Sequence, residues 1–345
     1  MFQTSKSLFF ICETPLHAGS GSDLGIVDLP IQREKHTSFP KVESSSLKGA
    51  IREAVEGVFI KKTIAELAQD AENEDKKKAY KKAKERKNKI VEALFGPEDA
   101  NNDAHMGALG FSDARLLLFP VKSMKGVFAW VTCPKVLQQF ERDMRISNTH
   151  FKITNIPNDP DDGKCFYLHK DSKVTLGSNN HKSILLEEYA FNATLKEDLM
   201  VTEKENGSSY QLNAWLAPTV SNESFFQDKM NEDIVILSNN DFKDFVNLST
   251  DVITRTAIDN EKGTVKPGAL FTEEFLPAES VLYTLVMASP IFQEEKKKIG
   301  LISDITPGAN EAEKVLNTFI EALPTVIQIG GGATLGKGIV RTKII

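Results

Sequence analysis

Short hydrophobic runs separated by turn-forming residues recur along the whole chain. Runs rich in aromatic and aliphatic residues predict strands. These runs lie at 7–13, 110–121, 127–132, 183–191, 233–237, 253–258, 269–275, 281–287, 326–329 and 339–344. Apolar residues at helical spacing predict helices that begin near Ser44 and that occupy 240–248 and 310–322. The pattern therefore predicts a chain that mixes sheet and helix.

Two segments depart from this core-like pattern. A helical stretch at 64–95 is nearly all polar around its circumference between 75 and 87, so it cannot lie in a core. It predicts a solvated helical insertion at about 57–105. Between 148 and 230 the composition shifts to Asn, Asp and Ser with many turn signals, which predicts a second inserted lobe outside the core. We expect the chain to fold without residues 150–230.

A loop of more than twenty residues joins the first strand to the first helix. Loops of this length in compact domains are usually functional or disordered, and the apolar residues Ile26, Val27 and Ile31 favour an ordered one. Taken alone, His17 and Asp28 in this loop are weak signals of function, because single residues of these types commonly have structural roles. The loop leads into three serines at 44–46, which predict an N-cap for the helix.

Lys48 and Arg52 lie one turn apart on the predicted first helix. Like charges at this spacing are mildly destabilising unless an anion lies between or above them, and a helix N-terminus already favours phosphate. The alternative is a solvated surface on which Arg52 pairs with Glu56. Because a loop of small residues enters the same helix, we favour anion binding.

Composition limits the function classes without selecting one. The 345 residues carry a net charge of −6, which excludes a uniformly positive surface but allows a basic stripe for nucleic acid. Cys12, Cys133 and Cys165 are far apart and form no CxxC pair, which argues against a zinc site or a disulfide scaffold. The apolar runs are too short for a membrane span or a signal-peptide core. We therefore expect a cytoplasmic protein with no membrane partner.

A glycine-rich loop at 330–338 precedes the last strand. Its spacing does not match the dinucleotide-binding fingerprint, and the residues that follow it predict a strand instead of the required helix. Two interpretations stay open: a hairpin connection, or backbone packed closely against another chain or a nucleic-acid backbone.

Several motifs together carry a family resemblance. They are HAGSG at 17–21, GIVDLPIQRE at 25–34, SLKGAIR at 46–52, GFSDA at 110–114, WVTCP at 130–134, EEFLP at 273–277 and GGGATLGKG at 330–338. In this set and order the chain resembles RAMP-superfamily backbone subunits of type III-B CRISPR effector complexes, the fourth Cmr subunit family. The resemblance implies an α+β fold: one ferredoxin-like, RRM-type palm spanning 1–345, with the insertion at 57–105 and a long thumb at 148–230.

The same resemblance implies a function. Copies of such a subunit stack along a guide CRISPR RNA with other subunits of the complex, and each cleaves the complementary target RNA, leaving a 2′,3′-cyclic phosphate and a 5′-hydroxyl. Asp28 matches the position of the family's target-cleaving aspartate and is expected to act as catalytic residue and as ligand of a divalent metal, Mg²⁺ or Mn²⁺. Asp23 or Glu34 could assist it. The residues expected to bind RNA are His17, Gly19, Gly21, Arg33, Ser46, Lys48, Arg52, Gly331, Gly332 and Lys337.

Two alternatives to a target-cleaving subunit remain open at the level of sequence. In the first, the subunit is purely architectural and Asp28 only caps its loop. In the second, the protein is a stand-alone guide-RNA-processing RAMP endoribonuclease that uses His17 as acid or base. The second fits less well, because the motif around Asp28 and those in mid-chain match the backbone subunit better.

Overall fold

The computed structural model describes most of the chain. The described residues are 2–22, 25–70, 85, 88–97, 105–178, 181–205, 207–259, 261–266, 268–292 and 310–345, with the backbone alone at 60–70. Apart from Glu85 and the helical 88–95, the part of the predicted 57–105 insertion beyond residue 70 lies mostly outside these ranges, and so does most of its lysine-rich run.

The strands are short and numerous. They are β1 (Thr4–Cys12), β2 (Lys41–Val42), β3 (Leu109–Phe111), β4 (Ala114–Lys122), β5 (Phe128–Thr132), β6 (Lys152–Thr154), β7 (Lys164–Tyr167), β8 (Thr175–Ser178), β9 (His181–Leu186), β10 (Tyr189–Leu195), β11 (Met200–Thr202), β12 (Tyr210–Gln211), β13 (Ile234–Ile236), β14 (Asp251–Arg255), β15 (Phe271–Phe275), β16 (Val281–Ala288), β17 (Val326–Gln328) and β18 (Ile339–Ile344).

The described helices lie between these strands. They are α1 (Ser44–Asp70), α2 (88–95), α3 (Pro134–Ser147), α4 (Leu212–Val220), α5 (Ser224–Glu232), α6 (Asn239–Leu248) and α7 (Glu311–Ala322). None of the helices within the described ranges combines the length and apolar content that a membrane crossing requires.

The main sheet is built around the first strand. Its strands follow the order β17-β18-β1-β16-β4-β5-β13-β7-β10-β9-β8. Outside this order, β2 pairs with β4 and β3 pairs with β16. β1 is antiparallel to both β16 and β18, with Phe9 opposite Tyr283 on one side and Lys343 on the other. Because β1 pairs with β18 on one side and β16 on the other, the first and last strands lie side by side within the sheet, and residues 7–12 of β1 are buried.

Aromatic side chains attach the helices to this sheet. Phe9 of β1 packs edge to face against Phe140 of α3, and Phe111 of β3 packs against Phe319 of α7. Such pairs add to the free energy gained from the apolar area they bury. The α+β architecture and most of the predicted elements are thereby confirmed, including the 110–132 hairpin, now β4 and β5.

The start of α1 differs from the predicted serine cap. The first amide of the helix, that of Ser44, donates to Asp113 Oδ1 at 2.9 Å, so a carboxylate from a distant turn caps it. Burial alone would raise the pKa of Asp113. The hydrogen bonds from Lys41 and Ser44 and the charges of Lys41 and Arg115 outweigh burial and lower that pKa.

Residues 148–230 also differ from the expectation of a lobe outside the core. Strands β7 to β10 of this segment continue the main sheet. Its side chains join the same hydrophobic cluster as those of β1, among them Ile184, Phe191, Leu212 and Trp215. Polar residues predominate because the segment consists of short strands and two short helices joined by exposed turns, and its buried positions are dispersed among these turns, which hides them from a composition analysis. A function of this segment as a thumb stays a prediction.

Burial of Ile184 provides a test of that packing. We expect Ile184→Ala to lower the free energy of unfolding by about 2–5 kcal/mol, because it leaves a cavity at a fully buried position. The exposed Asn192, in the neighbouring strand of the same hairpin, supplies the control: Asn192→Ala should change it by no more than about 0.5 kcal/mol. Chemical denaturation of the purified chain measures both values. Equal effects would contradict the core assignment.

Candidate functional site

The loop that follows β1 is held against the strand β15. Residue Leu29 forms a parallel bridge with Glu273. The amide of Leu29 donates to the carbonyl of Thr272 at 3.0 Å, and the amide of Glu274 donates to the carbonyl of Leu29 at 3.0 Å. The segment 28–31 therefore runs beside β15 like a further strand, which places its first residue, Asp28, at a defined position.

Asp28 is exposed and its carboxylate is hydrogen-bonded to Thr272. Oδ2 accepts from the Thr272 amide at 2.7 Å and from the Thr272 hydroxyl at 2.8 Å. These two bonds, the amide bond first, lower the pKa of Asp28 below its usual value, because they stabilise the charged form. The side chain is therefore an ionised carboxylate at neutral pH in a surface loop.

Glu274, two residues further along β15, is a buried charge. Its side chain is only 6% exposed. Its Oε1 accepts hydrogen bonds from Arg33 Nη2 at 2.5 Å and from the Thr250 hydroxyl at 2.8 Å. Its Oε2 accepts from the amide of Ile31 at 3.0 Å. Arg33 also donates to the carbonyls of Ser38 and Val246, both at 2.9 Å. The predicted RNA contact of Arg33 stays a prediction, but its guanidinium is engaged inside the protein.

His17, near the start of the loop after β1, is nearly buried. Its Nδ1 is 2.7 Å from the carbonyl oxygen of Glu274, and because a carbonyl can only accept, Nδ1 carries the proton. Nε2 is 3.8 Å from Glu273 Oε1. The ring packs at a tilt against Phe275, with the centroids 5.5 Å apart. Both nitrogens of this imidazole therefore face protein groups.

The glycine-rich loop packs on the backbone of His17. It joins the antiparallel strands β17 and β18, and the amide of Gly331 donates to the carbonyl of His17 at 2.9 Å. Gly330 has φ +78°, and a Cβ there would stand 2.2 Å from the same carbonyl, so only glycine fits. Gly332 also has a positive φ, of +74°. The loop is thus a hairpin connection whose close packing is against this chain itself, while Gly331 remains exposed.

Positive charges gather around the buried ring of Phe275. Lys337 Nζ lies 5.0 Å from its centroid and Arg255 Cζ lies 5.7 Å from it. Arg255 also pairs with Glu273, the residue that faces His17. The predicted residues His17, Gly331 and Lys337 therefore meet at one place, where cations lie beside exposed glycine backbone.

Gln32 connects this place to the start of α1. Its side-chain amide donates to the carbonyl of Gly19 at 3.1 Å and to the Ser46 hydroxyl at 3.3 Å. Gly19 lies so close to His17 that a Cβ would stand 2.7 Å from Nε2. Gly21 is exposed, with φ +102°. The structure thus also brings Gly19 and Ser46 into the site.

Two cations of α1, Lys48 and Arg52, contact other parts of this chain and not the residues described above. Lys48 Nζ donates to the carbonyl of Leu109 at 3.1 Å, and burial, followed by the charge of Arg52, lowers its pKa. Arg52 donates to Glu56 at 3.0 Å and to the carbonyl of Gly96 at 2.8 Å. The ion pair of the alternative interpretation is therefore present. RNA binding by Lys48 and Arg52 stays a prediction.

Of the two residues suggested to assist Asp28, only Glu34 lies among the described residues. Asp23 lies outside the described residues. Glu34 accepts from the Thr37 hydroxyl at 2.7 Å and lies 3.7 Å from Arg115. Within the described part of the chain, no group of three or more His, Cys, Asp or Glu side chains could hold a metal between them. A fully protein-made metal cage is therefore not found there.

Sequence analysis missed the residues of β15 that hold the site, namely Thr272, Glu273 and Glu274. The segment EEFLP was noted only as a family motif. Two adjacent carboxylates in a strand-like apolar segment are a usable signal, because an acid that is buried needs a charged partner.

The pair between Arg33 and Glu274 predicts a stability effect. We expect Arg33→Ala to lower the free energy of unfolding by about 3 kcal/mol, because Glu274 is left buried without its partner. Lys35→Ala, an exposed change in the same loop, is the control. Denaturant titration of the purified chain measures both. Unchanged stability combined with weaker guide RNA binding would instead assign Arg33 to the RNA.

Comparison with known sequences identifies relatives over nearly the full chain. The RAMP superfamily model matches residues 9–341. The CRISPR system Cmr endoribonuclease Cmr4 of Pyrococcus furiosus is 30% identical over 331 residues, covering 96% of this chain and 92% of that protein. The CRISPR system CMR subunit Cmr4 of Saccharolobus solfataricus is 22% identical over 353 residues, covering 98% and 96%.

Solved structures agree in fold. The crystal structure of oligomeric Cmr4 from Pyrococcus furiosus matches with a TM-score of 0.59 and 22% identity, covering 99% of each chain. A chain in the cryo-EM structure of the Type III-B Cmr-beta bound to cognate target RNA matches with a TM-score of 0.62 and 19% identity, covering 99% of this chain and 98% of that one. With these matches in sequence and fold, the chain belongs to the RAMP superfamily and, within it, to the Cmr4 family.

Proposed function

We propose that the chain is a backbone subunit of a type III-B CRISPR effector complex that binds guide RNA and cleaves complementary target RNA. Family membership supports this, because the relative from Pyrococcus furiosus is named an endoribonuclease. Solved relatives include an oligomeric Cmr4 and a complex bound to target RNA. By analogy, the partners we propose are guide RNA, target RNA, further copies of this chain and the other subunits.

One observation carries the catalytic part of the proposal: Asp28 is an exposed, ionised carboxylate with a fixed position. Most exposed aspartates are free to rotate, whereas this one is tied to a strand through Thr272. Groups that act on a reacting bond need such preorganisation, because the entropic cost of orienting the reacting groups is a large part of the activation free energy.

The chemistry of RNA reduces what the protein itself must supply. The 2′-hydroxyl beside each phosphodiester is an internal nucleophile, so cleavage requires in-line geometry, removal of one proton and stabilisation of charge on the phosphate. The products would be a 2′,3′-cyclic phosphate and a 5′-hydroxyl. We assign Asp28 to the scissile position, as acceptor of the 2′-hydroxyl proton or as ligand of a metal ion that stabilises charge on the phosphate.

A divalent metal is the proposed cofactor, and the donor set fits one kind of binding. Asp28 offers one carboxylate, and Mg²⁺ commonly takes one or two carboxylates while RNA phosphates and water fill its other positions. Such an ion would stabilise charge on the phosphate when bound. The protein's own part is to hold Asp28 charged and oriented.

The guide RNA contact is proposed at the meeting of the two glycine-containing loops. Gly19, Gly331 and Ser46 bring exposed small residues to a surface flanked by Lys337, and Arg255, which pairs with Glu273, lies at the same aromatic ring as Lys337. Small residues let a phosphate backbone approach, and cations bind it without regard to base sequence. Binding there should therefore be independent of guide sequence.

The alternative of a stand-alone processing enzyme with His17 as acid or base is less well supported. The imidazole is nearly buried, and its nitrogens face Glu274 and Glu273. A general acid or base must reach the proton that it transfers, and a ring this buried is poorly accessible to a substrate. The architectural alternative, with Asp28 as a loop cap, is left to experiment.

Substitution of Asp28 tests the catalytic assignment. In assembled complexes with guide RNA, Asp28→Asn should slow target cleavage by at least about a hundredfold, because the negative charge is lost. Guide and target binding should be unchanged. Rates from single-turnover cleavage assays measure the effect.

Asp161→Asn is the matched control, since Asp161 is also exposed and ionised but pairs with Lys164 in another part of the chain. It should cleave like the unmodified complex. Normal cleavage by Asp28→Asn would refute the assignment and leave the architectural alternative.

Metal removal tests the cofactor. We expect EDTA to stop cleavage and added Mg²⁺ or Mn²⁺ to restore it, with guide binding unchanged, because the metal is proposed to act on the phosphate and not on assembly. Filter binding and gel assays on one preparation measure both. Full activity in EDTA would remove the metal from the proposal.

A further inference from the structure

Thr272 makes three hydrogen bonds to one residue, Asp28. Its amide and its hydroxyl both donate to Asp28 Oδ2, at 2.7 and 2.8 Å. The hydroxyl oxygen also accepts from the amide of Asp28 at 2.9 Å. Both the backbone and the side chain of Asp28 are therefore bound to the same threonine.

These bonds make the two oxygens of the carboxylate different. A carboxylate oxygen has about two acceptor positions, so two donors fill Oδ2. Oδ1 remains the oxygen that a ligand can use. The pair of bonds also holds the side chain in one rotamer, although the residue lies in an exposed loop.

Thr272 can impose this orientation because it belongs to a paired strand. β15 pairs with β14 along its whole length, with Thr254 directly opposite Thr272. The same strand holds the loop on the other side of Asp28 through Leu29 and Ile31. Groups built on strands are placed more accurately than groups on loops, so β15 lends its rigidity to a loop aspartate.

We propose that Thr272 is a positioning residue for RNA cleavage: it fixes the Asp28 side chain and leaves Oδ1 as the oxygen that faces the ligand. This inference rests on the proposed function, in which Asp28 acts at the scissile phosphodiester. Thr272 itself does not touch the reacting atoms. Its hydroxyl contributes through orientation, because small errors of position at a reacting centre are costly.

The test compares three variants in complexes assembled with guide RNA. Thr272→Val keeps the shape and the amide bond but removes both hydroxyl bonds, and it should lower the single-turnover rate at saturating target about tenfold. Thr272→Ser keeps the hydroxyl and should retain most of the rate. Thr254→Val makes the same change on the opposite strand and should leave the rate unchanged.

Binding distinguishes positioning from a structural role. The target concentration that gives half-maximal rate, and guide binding by filter assay, should be the same for all variants, so only the maximal rate falls. A tenfold weaker target binding by Thr272→Val would overturn the inference. Equal rates for Thr272→Ser and Thr272→Val would also overturn it, because the hydroxyl would then make no difference to the rate. If Thr272→Val does not assemble, Thr272→Ala serves as the variant without a hydroxyl.

The Asp28→Asn complex, measured in parallel, separates the two proposals. If it is inactive while Thr272→Val cleaves normally, the inference about Thr272 fails and the proposed function stands. If Asp28→Asn itself cleaves normally, the proposed role of Asp28 fails, and the role of Thr272 fails with it.

Discussion

Burial of the Glu274 carboxylate is the constraint on which the site depends. A charge removed from water must be paired and hydrogen-bonded, and here Arg33, Thr250 and the amide of Ile31 supply the partners. Two of these partners belong to the loop after β1. If the loop moved away from β15, the Glu274 carboxylate would lose its charged partner Arg33. This ion pair therefore keeps the loop segment around residue 28 against β15.

Three consecutive residues of β15 each contact a different part of the site. Thr272 holds Asp28, Glu273 faces His17 and Arg255, and Glu274 holds Arg33. A strand presents successive side chains on opposite faces, which allows one short segment to hold groups on different sides. This arrangement explains how a long loop with little secondary structure of its own can present an ordered carboxylate.

The positively charged residues fall into two kinds. Lys337 lies over the ring of Phe275 beside exposed glycine backbone, where a phosphate backbone could approach. Arg33, Arg52 and Arg255 are engaged with carboxylates of this chain. A count of charges along the sequence does not separate a cation that binds a ligand from one that stabilises the fold, because the carboxylate that engages a cation can lie far away in the chain, as Glu274 does from Arg33.

The amino-acid sequence by itself determined the α+β class, most strands and helices and, through its motifs, the family; the catalytic role that the same motifs predict for Asp28 stays a prediction. These follow from local periodicity and from short contiguous motifs. Only the tertiary structure decided that 148–230 joins the core, that Asp113 caps α1 and that Thr272 holds Asp28. Each of these depends on contacts between residues far apart in the chain, and such contacts leave no periodic trace in the sequence.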